Sequence, residues 1–243
     1  MARVADSTWL VGFHAVEAVL ASGRPVELVW LQRGRRDRRS VRIDQLARMR
    51  GVPTRLVERR RLDQVAGGTP HNGCAARTAP VAFRALDELV VAPDSPARLL
   101  LLDGISDPHN LGAVLRSAAA FALDGVILAG PSAPPLAGIV AKAAAGQLER
   151  VRLARVKVAA DALAQLQGCG YWVLGADAEA RSVAEVDPTK RWVLCLGAED
   201  RGLRAKTRSR IDELVSIPMA EGVESLNLSV AAGILLYELS RER

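Results

Sequence analysis

From residue 98 onward the chain alternates short, fully apolar runs with longer stretches whose apolar residues recur every third or fourth position. Strands are predicted at 98–103 (RLLLLD), 125–129 (GVILA), 151–154, 171–176, 192–197 (WVLCLG) and 214–217. Helices are predicted between them at 110–121, 136–146, 159–167, 203–209 and 227–242. Apolar strands separated by helices predict a mostly parallel sheet covered on both faces. Residues 1–78 carry a smaller α/β pattern: a helix at 12–20 (GFHAVEAVL), a strand at 26–32, a helix at 43–50, a strand at 52–57, a short helix at 61–66 and a strand at 74–78. The turn-rich stretch Gly67-Gly68-Thr69-Pro70-His71-Asn72-Gly73 precedes that last strand. Pro80, Pro93 and Pro96 punctuate residues 79–97, which read as a linker whose apolar patch, Leu86–Val91, packs on a neighbouring domain. The expected organisation is a small domain at 1–78, a linker at 79–97 and a larger α/β domain at 98–243.

Charge suggests a partner. The 243-residue chain has a net charge of +6, and its distribution is uneven. Between Arg24 and Arg61 there are 13 arginines, no lysine and 4 acids, a local balance of +9 that leaves the rest of the chain near −3. Arginine forks bind phosphate bidentately and stack on bases, so such a segment suits RNA or DNA. Arg35, Arg36, Arg38 and Arg39 are its densest part. The competing reading is a solvated surface in a chain that uses arginine for lysine throughout. The three cysteines, Cys74, Cys169 and Cys195, are odd in number and form no C-x-x-C, which predicts buried small side chains rather than disulfides or a zinc site. His14, His71 and His109 are too scattered for a local metal motif. No apolar run approaches the roughly 18 residues of a membrane span. The first twenty residues lack the features of a signal peptide, so a cytoplasmic protein is expected.

Three loops follow predicted strands, where open α/β sheets gather ligands. In the first, Asp103-Gly104-Ile105-Ser106-Asp107-Pro108-His109-Asn110-Leu111-Gly112, Asn110 stands where a helix N-cap is expected. Arg116 then interrupts a helix otherwise made of small and apolar residues. In the second, Gly197 and Gly202 bracket a turn carrying Glu199. In the third, Ile217-Pro218-Met219 leads through Glu221-Gly222 to Ser225-Leu226-Asn227-Leu228-Ser229, where Ser225 or Asn227 can cap the last helix. Each loop alone is as well explained by capping and turning as by function. Phosphate-binding glycine motifs, whether G-x-x-x-x-G-K-[ST] or G-x-G-x-x-G after a strand, are absent.

Together, in this order and spacing, the three loops resemble the motifs of the SpoU (TrmH-type) branch of the SPOUT RNA 2'-O-ribose methyltransferases. Gly12-Phe13-His14-Ala15-Val16 and His71-Asn72-Gly73 resemble the small L30e-like substrate-binding domain that precedes the catalytic domain in ribosomal-RNA members. Residues 143–152 match the family's Ser-x-Gly-Ala…Pro region poorly. The resemblance implies a C-terminal trefoil knot, against the general rarity of knots. It also implies a homodimer whose site draws on both subunits, with S-adenosylmethionine held at Gly197, Ile217, Met219 and Leu226. The apolar stripe Leu228, Ala232, Leu235, Leu236 and Leu239 suits either that dimer or the protein's own core.

The activity implied is methylation of a ribose 2'-hydroxyl, most simply of a guanosine in 23S ribosomal RNA, with no metal. Arg116, Asn110, Glu199, Ser225 and Asn227 are the implied catalytic set. A guanidinium is too basic to serve as general base, so Arg116 is read as a phosphate clamp and electrostatic stabiliser. Asn110 and Glu199 would position the ribose and Arg116, while Ser225 and Asn227 would order the cofactor loop and Arg116. A transfer-RNA enzyme and a resistance methyltransferase of the same family are alternatives, as is a non-catalytic RNA-binding relative.

Overall fold

The computed structural model describes residues 7–90, 95–187 and 190–241. Its contacts divide into two units, one gathering residues up to Ala82 with Pro135–Arg150, the other Phe83–Pro134 with Val151 onward.

The first unit runs β1 (Thr8–Val11), α1 (Phe13–Ala21), β2 (Val26–Gln32), α2 (Arg38–Met49), β3 (Thr54–Val57), α3 (Arg59–Ala66) and β4 (Cys74–Thr78). The sheet order is β1-β4-β2-β3; β4 is antiparallel to both neighbours, and β2 and β3 are parallel. Strand β1 is not expected from the sequence. It is four residues long, too short to show a period, and its partner in register is the distant Ala75–Thr78. Helix α2 begins five residues before its expected start, because the Asp37 carboxylate caps it by accepting from the Ser40 N–H at 2.8 Å. Gly73 has a φ of +86°, and a Cβ there would lie 2.8 Å from Arg35 Cδ, so only glycine lets the arginine lie across the chain at this point.

The second unit runs β5 (Ala97–Asp103), α4 (Pro108–Ala120), β6 (Gly125–Ala129), β7 (Leu153–Val156), α6 (Ala159–Gly168), β8 (Trp172–Ser182), β9 (Arg191–Leu196), α7 (Ala205–Arg208), β10 (Glu213–Ser216) and α8 (Leu228–Ser240). The remaining helix, α5 (Gly138–Ala143), lies in the 135–150 segment that packs with the first unit. The six-stranded sheet is parallel throughout, in the order β10-β8-β9-β5-β6-β7. Leu99 and Leu101 of β5 join a core with Leu163 and Leu166 of α6, while Leu100 and Leu102, pointing the other way, are equally buried. This two-sided burial is why the strand reads as an unbroken apolar run. The expected end of the last helix, Glu242, lies outside the described residues.

The apolar patch of the linker packs on the second unit. A 3₁₀ turn at Leu86–Leu89 inserts Leu89 beside Gly125, where a Cβ would come within 2.5 Å of the leucine. Within the first unit, the 135–150 segment is held by an ion pair between Arg24 and Glu149 at 2.7 Å, with side chains only 10% and 11% exposed. Burial lowers the Arg24 pKa and raises that of Glu149, each partly offset by the other's charge. A Cβ on Gly146 would meet the His14 carbonyl oxygen at 2.7 Å, so this segment packs tightly on α1.

Candidate active site

Strands β5, β6 and β7 extend one way across the sheet, and β9 and β8 extend the other. The chain reverses direction between β5 and β9, and the loops leaving their carboxyl ends open a crevice there. The first and second of the three loops singled out in the sequence are these two.

The first loop ends one turn earlier than expected. Asp107, rather than Asn110, caps α4: its carboxylate accepts from the Asn110 N–H at 2.7 Å, and Pro108 occupies the first turn, where its missing N–H costs nothing. The correction frees the Asn110 side chain. Its Nδ2 donates to Glu199 Oε1 at 2.6 Å, and its Oδ1 accepts from Asn227 Nδ2 at 3.0 Å. Asn227 Nδ2 also lies 3.3 Å from Glu199 Oε1, closing a triangle drawn from all three loops. Asn227 is itself the cap of α8, with Oδ1 accepting from the Ser229 and Val230 N–H groups. Capping and assembly of the site are therefore one arrangement at this residue.

Beside the triangle lies a pocket of about 330 Å³ lined by Gly197, Ala198, Glu199 and Gly202 from the second loop and by Ile217, Met219, Ser225, Leu226 and Asn227 from the third. Gly197 is required by contact: a Cβ there would stand 2.0 Å from the Gly202 carbonyl carbon. Ala198 and Gly202 exchange backbone hydrogen bonds at 3.1 and 2.8 Å, which draws the loop shut. Sequence reasoning missed one wall, Ala176–Ala178. Strand β8 is expected to stop at 176, but it bulges, so that Leu214 pairs with Gly175 and Val215 with Arg181, and then resumes. The bulge carries Asp177, whose carboxyl is held below its ordinary range by hydrogen bonds from Arg208 and from the Glu179 N–H. Nothing in the apolar pattern marks such a bulge.

Other expected site residues lie apart from the triangle. Arg116 is exposed on α4, and among the described residues no hydrogen bond or ion pair engages it. Six positions after Asn110 it is roughly 9 Å further along the axis and turned to another side of the helix. Ser225 lines the pocket without joining the hydrogen-bonded triangle. Arg35, Arg36, Arg38 and Arg39 are exposed on the first unit. Arg35 pairs with Asp37 at 2.5 Å, and the Arg35 and Arg39 guanidiniums stand 5.2 and 5.9 Å from the Phe13 ring centre. Cys74 and Cys195 are buried, and burial raises the thiol pKa of Cys74 to about 12; Cys169 is exposed, contrary to expectation, at the end of α6. No cluster of metal-ligating side chains occurs among the described residues, and no described helix is long and apolar enough to cross a membrane.

The three loops thus bring an asparagine–glutamate–asparagine triangle to the edge of a loop-built pocket at the switch point. Residues 97–237 match the model of the SpoU rRNA Methylase family, and residues 9–84 match that for RNA 2'-O ribose methyltransferase substrate binding. The chain belongs to the SpoU rRNA methylase family. It is 40% identical over 240 residues to the 23S rRNA (guanosine-2'-O-)-methyltransferase RlmB of Shewanella oneidensis, covering 96% of this chain and 97% of that protein. Its identity to the Escherichia coli K12 protein of the same name is 39% over 242 residues, covering 98% and 99%. The crystal structure of the SpoU methyltransferase AviRb from Streptomyces viridochromogenes in complex with AdoMet superposes with a TM-score of 0.83 at 25% identity, covering 96% of this chain and 89% of that one. The protein is thus an RNA 2'-O-ribose methyltransferase.

Proposed function

We propose that this protein methylates the ribose 2'-hydroxyl of a guanosine in 23S ribosomal RNA, using S-adenosylmethionine. The observation that carries the reading is the Asn110–Glu199–Asn227 triangle at the edge of the loop-built pocket. The end-to-end likeness to relatives named for that reaction supports the choice of RNA.

The pocket fits the cofactor. Its volume falls at the lower end of small-molecule sites, roughly 300–1,000 Å³, and its lining combines apolar side chains with a second loop that Gly197 allows to close on itself. Gly197, Ile217, Met219 and Leu226 would hold it. S-adenosylmethionine supplies a methyl group activated by a sulfonium. Asn110 and Glu199 orient the target ribose, and Asn227 fixes both. Ser225 steadies the cofactor loop. The 2'-hydroxyl is a very weak acid and sheds its proton as it attacks. Arg116 clamps the neighbouring phosphate, whose oxygen relays that proton to water, and stabilises the charge growing on the 2'-oxygen.

Arg116 performs this role in a homodimer, on the partner copy's site. Of the expected stripe, Ala232, Leu235, Leu236 and Leu239 are buried within one chain and are therefore core, while Leu228 is half-buried. The opposite side of α8 exposes Val230, Ile234 and Tyr237 at helical spacing, an apolar face that supports pairing of two copies, with Tyr237 also 6.1 Å ring to ring from Phe121. The same reading takes the second unit as knotted through its second and third loops, and the first as an L30e-like domain whose Arg35, Arg36, Arg38 and Arg39 bind RNA. A cytoplasmic location follows from the substrate. The test is to map 2'-O-methyl groups in ribosomal and transfer RNA with and without the gene. Loss of one methyl from 23S RNA alone is expected; loss from transfer RNA alone overturns the choice of substrate.

A further inference from the structure

At the switch point, next to the triangle but not part of it, Arg204 lies across two strand ends. A Cβ on Gly104, just after β5, would stand 3.0 Å from Arg204 Nη2; one on Gly130, just after β6, would stand 3.4 Å from Nη1. Both glycines have a φ of +87°, so the chain turns away beneath the guanidinium and leaves a seat for it. Below it is the fully buried carboxylate of Asp103. Asp103 Oδ2 accepts from Thr207 Oγ1 at 2.6 Å, whereas Oδ1 faces Arg204 Nη1 at 3.3 Å without a directed hydrogen bond. Among the described residues no hydrogen bond takes an Arg204 N–H, and the side chain is 38% exposed. The guanidinium is thus held from below by charge while its donor fork is left for something else. Gly104 opens the same loop whose Asp107 and Asn110 lead to the triangle, and its Cβ position is 3.9 Å from Ala198, the neighbour of Glu199.

We infer that Arg204 binds a backbone phosphate of the RNA substrate beside the target nucleotide and so sets the register of the ribose over the triangle. The inference rests on the proposed methylation of ribosomal RNA. A seat of bare backbone, a buried counter-charge that fixes the plane, and an uncommitted fork suit a phosphodiester, which guanidinium binds bidentately. If Arg204 served only to neutralise Asp103, removing both charges together would be harmless.

That contrast supplies the experiment. In the full-length protein, Asp103→Asn alone keeps the Arg204 fork but loosens its seat, and is expected to raise the KM for unmethylated 23S RNA only about two- to fourfold, well short of the double variant. The double variant Asp103→Asn/Arg204→Met leaves no uncompensated buried charge. It is expected to raise that KM about tenfold or more while S-adenosylmethionine affinity, read by calorimetry, stays unchanged. Its RNA affinity should fall less steeply with salt, by roughly 0.7–0.9 in the log–log slope, as for one phosphate no longer neutralised. Lys206→Met, which removes an exposed cation two residues away, should change neither. A double variant with wild-type KM and slope overturns the inference. If it does not fold, Arg204→Gln, which keeps a donor toward Asp103, decides the matter by the same slope. Should the wild-type protein leave ribosomal RNA unmethylated, the proposed function fails, while the salt slope of RNA binding still judges Arg204.

Discussion

The pocket of the second unit and the arginine surface of the first are made of different material. The pocket depends on where the backbone can go: Gly197 is needed because its Cβ position is 2.0 Å from another stretch of chain. The arginine surface depends on side chains that the fold barely constrains. Arg35 and Arg39 are tethered to Phe13 and Asp37, but they are exposed and replaceable without a clash. The first design should fail abruptly on small changes, and the second should weaken by increments.

Substitutions can break or sharpen that contrast. The largest effect is expected from Gly197→Ala: one methyl should abolish measurable S-adenosylmethionine binding by calorimetry, and affinity within threefold of wild type would show that the pocket is not backbone-limited. Next, Arg116→Ala should lower methylation roughly 10²–10³-fold, the loss typical of a transition-state charge stabiliser, with cofactor affinity unchanged; near-normal turnover would remove Arg116 from the mechanism. Replacing Arg35, Arg36, Arg38 and Arg39 together by serine should weaken RNA binding about tenfold and flatten its salt dependence by up to roughly 0.9 for each phosphate that is no longer neutralised. An unchanged slope would leave those residues as a solvated surface. The smallest effect concerns Asp37, whose carboxyl is lowered to about 2 by the Ser40 N–H and Arg35. A carboxyl lowered on folding stabilises above its unfolded pKa and loses that contribution as pH falls through the folded value. Asp37→Ala should therefore cost about 1 kcal/mol at neutral pH, and the difference from wild type should shrink as pH falls from 4 toward 2 in thermal unfolding. A constant difference would assign the cost to something other than the ionised cap.

What the sequence revealed follows the same division. The parallel sheet was legible because β5, β6 and β9 are apolar at nearly every position, a pattern that two-sided burial demands. Gly197 and Gly202 were legible as a turn, though the close approach that makes Gly197 indispensable depends on the return of the chain. Asn110 was expected as the helix cap, but Asp107-Pro108 already starts the helix, and the asparagine is free to reach Glu199 and Asn227. The β8 bulge was invisible because residues 176–180 look like an ordinary polar strand end, and only pairing with β10 shows otherwise. The stripe on α8 left core and interface equally open, since helical spacing says that a face is covered but not by what. Strand β1 was missed for want of length.

The ion pair between Arg24 and Glu149 bears on how such proteins can be recombined. The smaller unit is not a cassette that ends near residue 84. It is completed by residues 135–150, encoded after the first two strands of the larger sheet. A chimera that replaces only the N-terminal portion would set a foreign surface against Gly146 where α1 now packs, and would strand Glu149, buried, without its counter-ion. Breaking a buried pair in this way typically costs about 3–5 kcal/mol. Domain exchange in this protein must therefore carry both stretches together, which ties the fate of the smaller unit to that of an insert between the first strands of the larger sheet and the rest of it.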